Sequence, residues 1–299
     1  MNNILLTAGI ILFIFLVTCL VLSVLLTKRH NLKDFRSPAD LGLDFKPVHF
    51  PSTDGITLSG WWIPTEGSPN TIIFLHGFAG TMEPDLKYVP AIIQAGYNVL
   101  MFDFRAHGRS RGNRTSLGAL EVNDVIGAIQ FAKSCNSWAI GLMGFSMGGR
   151  AALLAAAQHP GIQAVISDGG PLRLSTAVSM DLRRRKVPDN LSPLLSFMIL
   201  LGASLRLFTN LFYHDPLVLG GKIAPTPVLL IHGDRDPYTR NHELIKMVAK
   251  SKGNLSLWRV AGARHREVDL ADPELYLQTV INFFDQHLKT KITHRRRSS

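Results

Sequence analysis

Cysteine is nearly absent from this 299-residue chain. Cys19 and Cys135 cannot staple a scaffold, and neither has the CxxC neighbour that zinc binding or thiol redox chemistry requires. Charge is also scarce, at 18% of residues, while 46% are apolar, so a disordered tail and a coiled coil are excluded. Glycine and proline are too few for collagen, and no segment of solenoid length repeats. Acidic residues are the minority sign, 22 against 32 basic, for a net charge of +10. That excess is spread out, and its dense runs are Arg183-Arg184-Arg185-Lys186 and Arg295-Arg296-Arg297. Without interleaved aromatics or a binding motif, such runs predict contact with water or phospholipid head groups, and no nucleic-acid partner. The length fits two ordinary domains or one large α/β domain.

One long hydrophobic run is present. Residues 4–27, ILLTAGIILFIFLVTCLVLSVLLT, contain no charge and no proline. As a helix they extend about 36 Å, enough to cross a ~30 Å hydrocarbon core with some tilt. The preceding Met1-Asn2-Asn3 has no basic residue and no A-x-A site follows, so residues 1–27 are expected to be an uncleaved transmembrane anchor rather than a signal peptide. Lys28, Arg29, Lys33 and Arg36 all follow the run, which places the bulk of the chain in the cytoplasm, where two unpaired cysteines stay reduced. Residues 28–44 read as a polar linker.

Beyond the linker, FKPVHF (45–50) and ITLSGWWIP (56–64) predict two antiparallel strands around an Asp54-Gly55 turn. Short apolar runs then recur at 71–76, 97–103, 138–144, 162–168, 226–232 and 254–260. Helical patterns lie between them at about 83–95, 117–134, 147–158 and 239–251, and 272–289 closes the fold. Strands without polar alternation are buried on both faces, and their alternation with helices implies an α/β fold with a mostly parallel sheet. Residues 169–222 break the rhythm with helical material only, which reads as an inserted helical cap. Within the cap, Leu194, Leu195, Phe197, Met198, Ile199, Leu200 and Leu201 offer more apolar surface than one buried stripe needs. They either line an acyl pocket or pack the cap on the sheet.

Gly144-Phe145-Ser146-Met147-Gly148 stands between a strand and an Ala-rich helix, the context in which a G-x-S-x-G turn exposes a nucleophile. Ser146 is therefore the expected nucleophile. Of the histidines that follow it and the candidate acids, His265 alone lies in a loop just past a strand, and it is the expected base. The orienting carboxylate has candidates in Asp236, furthest out on its loop, and in Asp168 as the reserve, while Asp234 is expected to cap its own turn. A tetrahedral oxyanion needs two backbone N–H donors, expected from Met147 and from Phe78 in His76-Gly77-Phe78-Ala79-Gly80. His76, His107 and His232 are expected to brace loops rather than transfer protons.

HGFAG, DFRAHGRS, GFSMGG, HGDRD and GARH, in that order, resemble the α/β-hydrolase superfamily and most closely its serine-aminopeptidase-like, lysophospholipase-like branch. The resemblance covers residues 45–288 and leaves 289–299 as a basic tail. It implies a triad of Ser146, Asp236 and His265, an oxyanion hole of the Phe78 and Met147 amides, and no metal or cofactor. The expected activity is membrane-anchored cleavage of carboxylic esters, with a small-molecule ester or lipid as substrate and the bilayer as partner. An aminopeptidase or amidase on the same triad is the alternative enzyme, but the basic cap argues against recognition of an α-ammonium. A non-catalytic membrane-bound binding protein is the alternative outside enzymes. One departure is GARHRE, where Arg264 and Arg266 flank His265, either lowering its pKa or holding an anionic leaving group.

Overall fold

The computed structural model describes residues 2–32 and 34–289. Lys33 and the expected basic tail beyond residue 289 lie outside the described residues. Eight strands form one sheet: β1 (Lys46–Pro51), β2 (Thr57–Ile63), β3 (Asn70–Leu75), β4 (Asn98–Asp103), β5 (Ala139–Phe145), β6 (Ala164–Asp168), β7 (Val228–Gly233) and β8 (Leu255–Val260). Their spatial order is β1-β2-β4-β3-β5-β6-β7-β8. β2 runs antiparallel to both its neighbours, β1 and β4, and the strands from β3 to β8 are parallel to one another. The helices in chain order are α1 (Asn2–Thr27), α2 (Val89–Gln94), α3 (Glu121–Ser134), α4 (Met147–Gln158) and α5 (Leu174–Arg184), followed by α6 (Ser192–Leu207), α7 (Pro216–Leu219), α8 (Asn241–Lys250), α9 (Val268–Ala271) and α10 (Pro273–Phe284).

Alternate strand residues feed two cores, which is why the strand sequences read as unbroken apolar runs. Ile73, Leu75, Leu100, Phe102, Ile140 and Leu142 pack beneath α3, α4, α7 and α8. Ile72, Phe74, Val99, Met101, Met143 and Phe145 pack on the opposite face under α2 and α10. The start of α10 is fixed by chemistry visible in its sequence: Pro273 opens it and the Asp272 carboxylate caps the Leu275 N–H at 3.0 Å.

Between β6 and β7 the chain is helical, as expected. α5 and α6 pair as a hairpin around a third apolar cluster, with Ser196 Oγ donating to the Ser175 carbonyl at 2.9 Å. α1 meets this hairpin. Over Ile4–Thr27 it is long and apolar enough to cross a membrane, with a mean hydropathy of 3.1, a character that anchors and signal sequences share. Its first turns are exposed all round, whereas Cys19, Ser23 and Thr27 are buried at helical spacing and Leu22 and Leu26 pack on the α5–α6 cluster.

The expected linker does not behave as one at its start. Arg29 donates to the carbonyls of Gly108, Ser110 and Gly112 at 2.7–2.8 Å, and the His30 N–H donates to the Ala106 carbonyl at 2.8 Å. Polar composition had pointed only to a linker. The correction comes from backbone acceptors some 80 residues away.

Candidate active site

β5 ends at Phe145 and α4 begins at Met147, so Ser146 alone makes the turn from strand to helix. It sits at φ 51°, ψ −114°, backbone that is strained for any residue with a Cβ. The flanking glycines let the turn close. A Cβ on Gly148 would lie 1.9 Å from the Leu75 carbonyl oxygen, and one on Gly144 would lie 2.4 Å from the Gly148 oxygen. The hydroxyl therefore stands at the carboxyl end of a central strand and at the start of a twelve-residue helix, where developing negative charge is favoured.

His265 lies in the loop after β8. Its Nε2 is 2.9 Å from Ser146 Oγ and its Nδ1 is 2.8 Å from Asp236 Oδ2. With Nδ1–H donating to the carboxylate, Nε2 is left to accept the hydroxyl proton. Burial acts to raise the Asp236 pKa, but the His265 and His232 rings beside it prevail and hold the carboxyl well below its usual range. The His232 contribution is electrostatic, since its Nδ1 stands 3.7 Å from Oδ2, beyond hydrogen-bond length. Asp236 Oδ1 is fixed by the Tyr238 N–H at 2.8 Å.

The reserve acid is engaged elsewhere. Asp168 Oδ2 accepts from Tyr276 Oη at 2.6 Å and from Arg266 at 2.9 Å. Arg266 also reaches Asp85 at 2.7 Å and lies 3.9 Å over the Phe145 ring. Of the two arginines flanking His265, this one is therefore bound inside the protein and does not meet a leaving group. It fixes the chain directly after His265. Asp85 sits near Asp168 in this network, and burial, opposed by Arg266, pushes its carboxyl up to about 6. Asp234 also departs from expectation. Instead of capping its own turn it accepts from the Gly262 N–H at 2.7 Å and ties the Asp236 loop to the His265 loop.

His76 braces its loop as expected: Nδ1 pairs with the Gly77 carbonyl at 2.8 Å and Nε2 accepts from the Phe104 N–H at 2.9 Å. His107 pairs with the Arg105 carbonyl at 2.8 Å. Burial lowers both rings to about 4, so they are neutral near pH 7. Phe78 follows Gly77, where a Cβ would lie 3.4 Å from Ser146 Cβ, so the turn carrying the Phe78 amide rests against Ser146. Met147 is the residue after it.

A cavity of about 400 Å³ opens beside Ser146 and His265. Phe78, Met147, Leu174, Ala177 and Val178 line it, with Asp181 of α5 and Arg185 just past the end of that helix. The apolar residues of α6 do not fill the acyl-pocket role that was one reading of them. Ile199 and Leu200 pack inside the hairpin cluster, while Leu194, Phe197 and Leu201 are exposed.

Residues 70–191 match the sequence profile of the alpha/beta hydrolase fold. The uncharacterized protein YqkD of Bacillus subtilis is 30% identical over 241 residues, 79% of this chain and 77% of that one. The chain belongs to the α/β-hydrolase superfamily. The uncharacterized protein YfhR of Escherichia coli is 28% identical over 216 residues, 69% of each chain. Among solved structures, the Pyrococcus furiosus esterase Pf2001 superposes on this hydrolase with a TM-score of 0.74 at 27% identity, covering 88% of this chain and 98% of the esterase.

Two features of this α/β hydrolase escaped the sequence reading. Arg266 had a signal, a second arginine beside the base, but its carboxylate partners are about 100 or more residues away. Leu26 of α1 also lines the cavity, and nothing in an apolar run distinguishes that position.

Proposed function

We propose that this protein is a membrane-anchored serine hydrolase that cleaves carboxylic esters of lipophilic molecules through an acyl-enzyme. The observation that carries the reading is the relay Ser146 Oγ–His265–Asp236, at 2.9 and 2.8 Å, on a strained turn. Ser146 Oγ attacks the ester carbonyl while its proton passes to His265 Nε2. The carbonyl π pair moves onto oxygen, which accepts hydrogen bonds from the Phe78 and Met147 amides. Asp236, held ionised, stabilises the imidazolium. Collapse breaks the bond to the alkoxy oxygen, which leaves as the alcohol with the proton from His265. Water, deprotonated by the same ring, then frees the acid and regenerates Ser146.

Esters are favoured over peptides because the cavity wall is mainly apolar and the Asp181 carboxylate is bonded to Arg185 at 2.7 Å, so it is not free for an α-ammonium. The likeness to an esterase of known structure supports the same choice. The length and apolar character of α1 support anchoring, and the basic residues Lys28, Arg29 and Arg36 after it support a cytoplasmic catalytic domain.

A fluorophosphonate label and p-nitrophenyl esters test the reading on the full chain in detergent. Ser146→Ala is expected to abolish labelling and to lower kcat by about 10⁴ or more. Asp236→Asn is expected to be severe and Asp168→Asn much milder in kcat. Ser146→Ala activity above about a tenth of wild type would refute the nucleophile.

A further inference from the structure

We propose that the end of the N-terminal helix is one wall of the substrate pocket, and that Leu26 sets the room available to the acyl chain. The proposal rests on the esterase reading and extends it to specificity.

Leu26 lines the cavity that holds Ser146 and His265, facing a space also bounded by Leu174 and Val178 of α5. It is held there from both directions. On the helix side, Ser23 is fully buried against Gly202 of α6, where a Cβ would meet Ser23 Cβ at 3.4 Å. Arg206 donates to Thr27 Oγ1 at 3.0 Å, and the Thr115 N–H donates to the Thr27 carbonyl at 3.0 Å. On the far side, Arg29 is bonded to three carbonyls of the 108–112 loop, and the His30 ring lies edge-on to Phe78 at 4.8 Å. Phe78 belongs to the turn that rests on Ser146. The chain from Ser23 to His30 is thus clamped between α6 and the loops around the nucleophile, and Leu26 lies in the middle of it. A helix that served only to tether the enzyme would not need these contacts, nor an apolar side chain in the cavity.

A straight-chain acyl group is the ligand chemistry that matches such a wall. Each methylene withdrawn from water is worth about fourfold in affinity, so blocking two of them changes discrimination by about fifteenfold.

Two measurements on the full chain in detergent test the proposal. The first is a disulfide staple, Ser23→Cys/Gly202→Cys, in a background with Cys19→Ala and Cys135→Ala. The 3.4 Å separation is close to the usual Cβ–Cβ distance of a disulfide. Mild oxidation is expected to protect both thiols from alkylation and reduction to restore them. The second is the ratio of labelling rates for octyl and ethyl fluorophosphonates. Leu26→Trp is expected to lower that ratio about fifteenfold, whereas Leu26→Met keeps it near wild type. Thiols that remain alkylatable after oxidation would overturn the docking. A Leu26→Trp ratio within threefold of a well-labelled wild type would overturn the specificity role alone. A wild-type protein labelled by neither probe would overturn the esterase reading and the specificity role with it, a failure distinct from an unchanged ratio.

Discussion

Deleting the Asp215 carboxylate strikes the joint between α4 and the start of α5. Arg150 projects from the first turn of α4, and its side chain is almost wholly buried. Its guanidinium donates to Asp215 at 2.8 Å, to the Leu117 carbonyl at 3.0 Å and to the His214 carbonyl. The same Asp215 oxygen accepts from the Leu174 N–H at 2.9 Å, where α5 begins. Asp215→Ala therefore leaves a cation without its counter-charge and a buried amide without its acceptor. Breaking a buried pair from one side costs about 3–5 kcal/mol, and an orphaned amide about 1–3 more where it finds no water. Expected destabilisation is about 4–8 kcal/mol, against a typical total of roughly 5–15. For a domain of this size that lowers Tm by roughly 10–30 °C. Urea unfolding of the full chain in detergent, followed by circular dichroism, measures it. The double variant Arg150→Met/Asp215→Leu removes the charge as well as its partner and is expected to recover at least about 2 kcal/mol relative to the sum of the single losses. A loss below about 1 kcal/mol for Asp215→Ala, or strict additivity in the double variant, would refute the argument.

Two further outcomes are expected. Arg266→Ala leaves Asp85 and Asp168 facing each other without their shared cation, so it should lose about 3 kcal/mol of stability and lower kcat more than it raises KM, because the loop after His265 loses its anchor; unchanged kcat would show that the loop holds without it. Acid should weaken the fold through His107, whose folded pKa of about 4 lies below the unfolded value near 6.5. The unfolded chain takes up the proton first, so this stability is complete above pH 6.5 and lost as pH falls towards 4. Between pH 7 and 5, unfolding free energy should fall by about 2 kcal/mol less in His107→Gln than in wild type; parallel pH profiles would contradict this.

Much of the fold was legible because a parallel sheet buried on both faces writes itself as short unbroken apolar runs. α4 falls on the residues its pattern marks, 147–158. Ser146 was legible because its turn needs glycines on either side, and His265 because it occupies a loop after a strand. The choice between Asp236 and Asp168 was harder to read. Both end or follow strands, and what separates them is Tyr276 and Arg266, whose approach to Asp168 only the folded chain determines. The apolar surplus of α6 was visible but not its allocation: one side packs against α5, another against α1, and Leu194, Phe197, Leu201 and Leu205 remain exposed. Periodicity reports that a face is apolar and is silent on which neighbour claims it.

In a bilayer, the seating of α1 would set lipid and protein in competition for one stretch of helix. Ser23 against Gly202 and Thr27 against Arg206 put α1 and α6 side by side in the same direction. α6 begins about 15 Å before Gly202, at Ser192, whose hydroxyl receives the Arg183 guanidinium. A bilayer holding all of residues 4–27 with the hairpin still attached would draw that cation to about mid-depth, where charge is expensive. Seated as described, the helix has residues 4–14 exposed all round, about 16 Å, which is the depth of a single leaflet. Were the whole of residues 4–27 to enter a bilayer, α1 would have to leave the hairpin and Leu26 the cavity, so a full crossing and the contacts that seat α1 exclude one another.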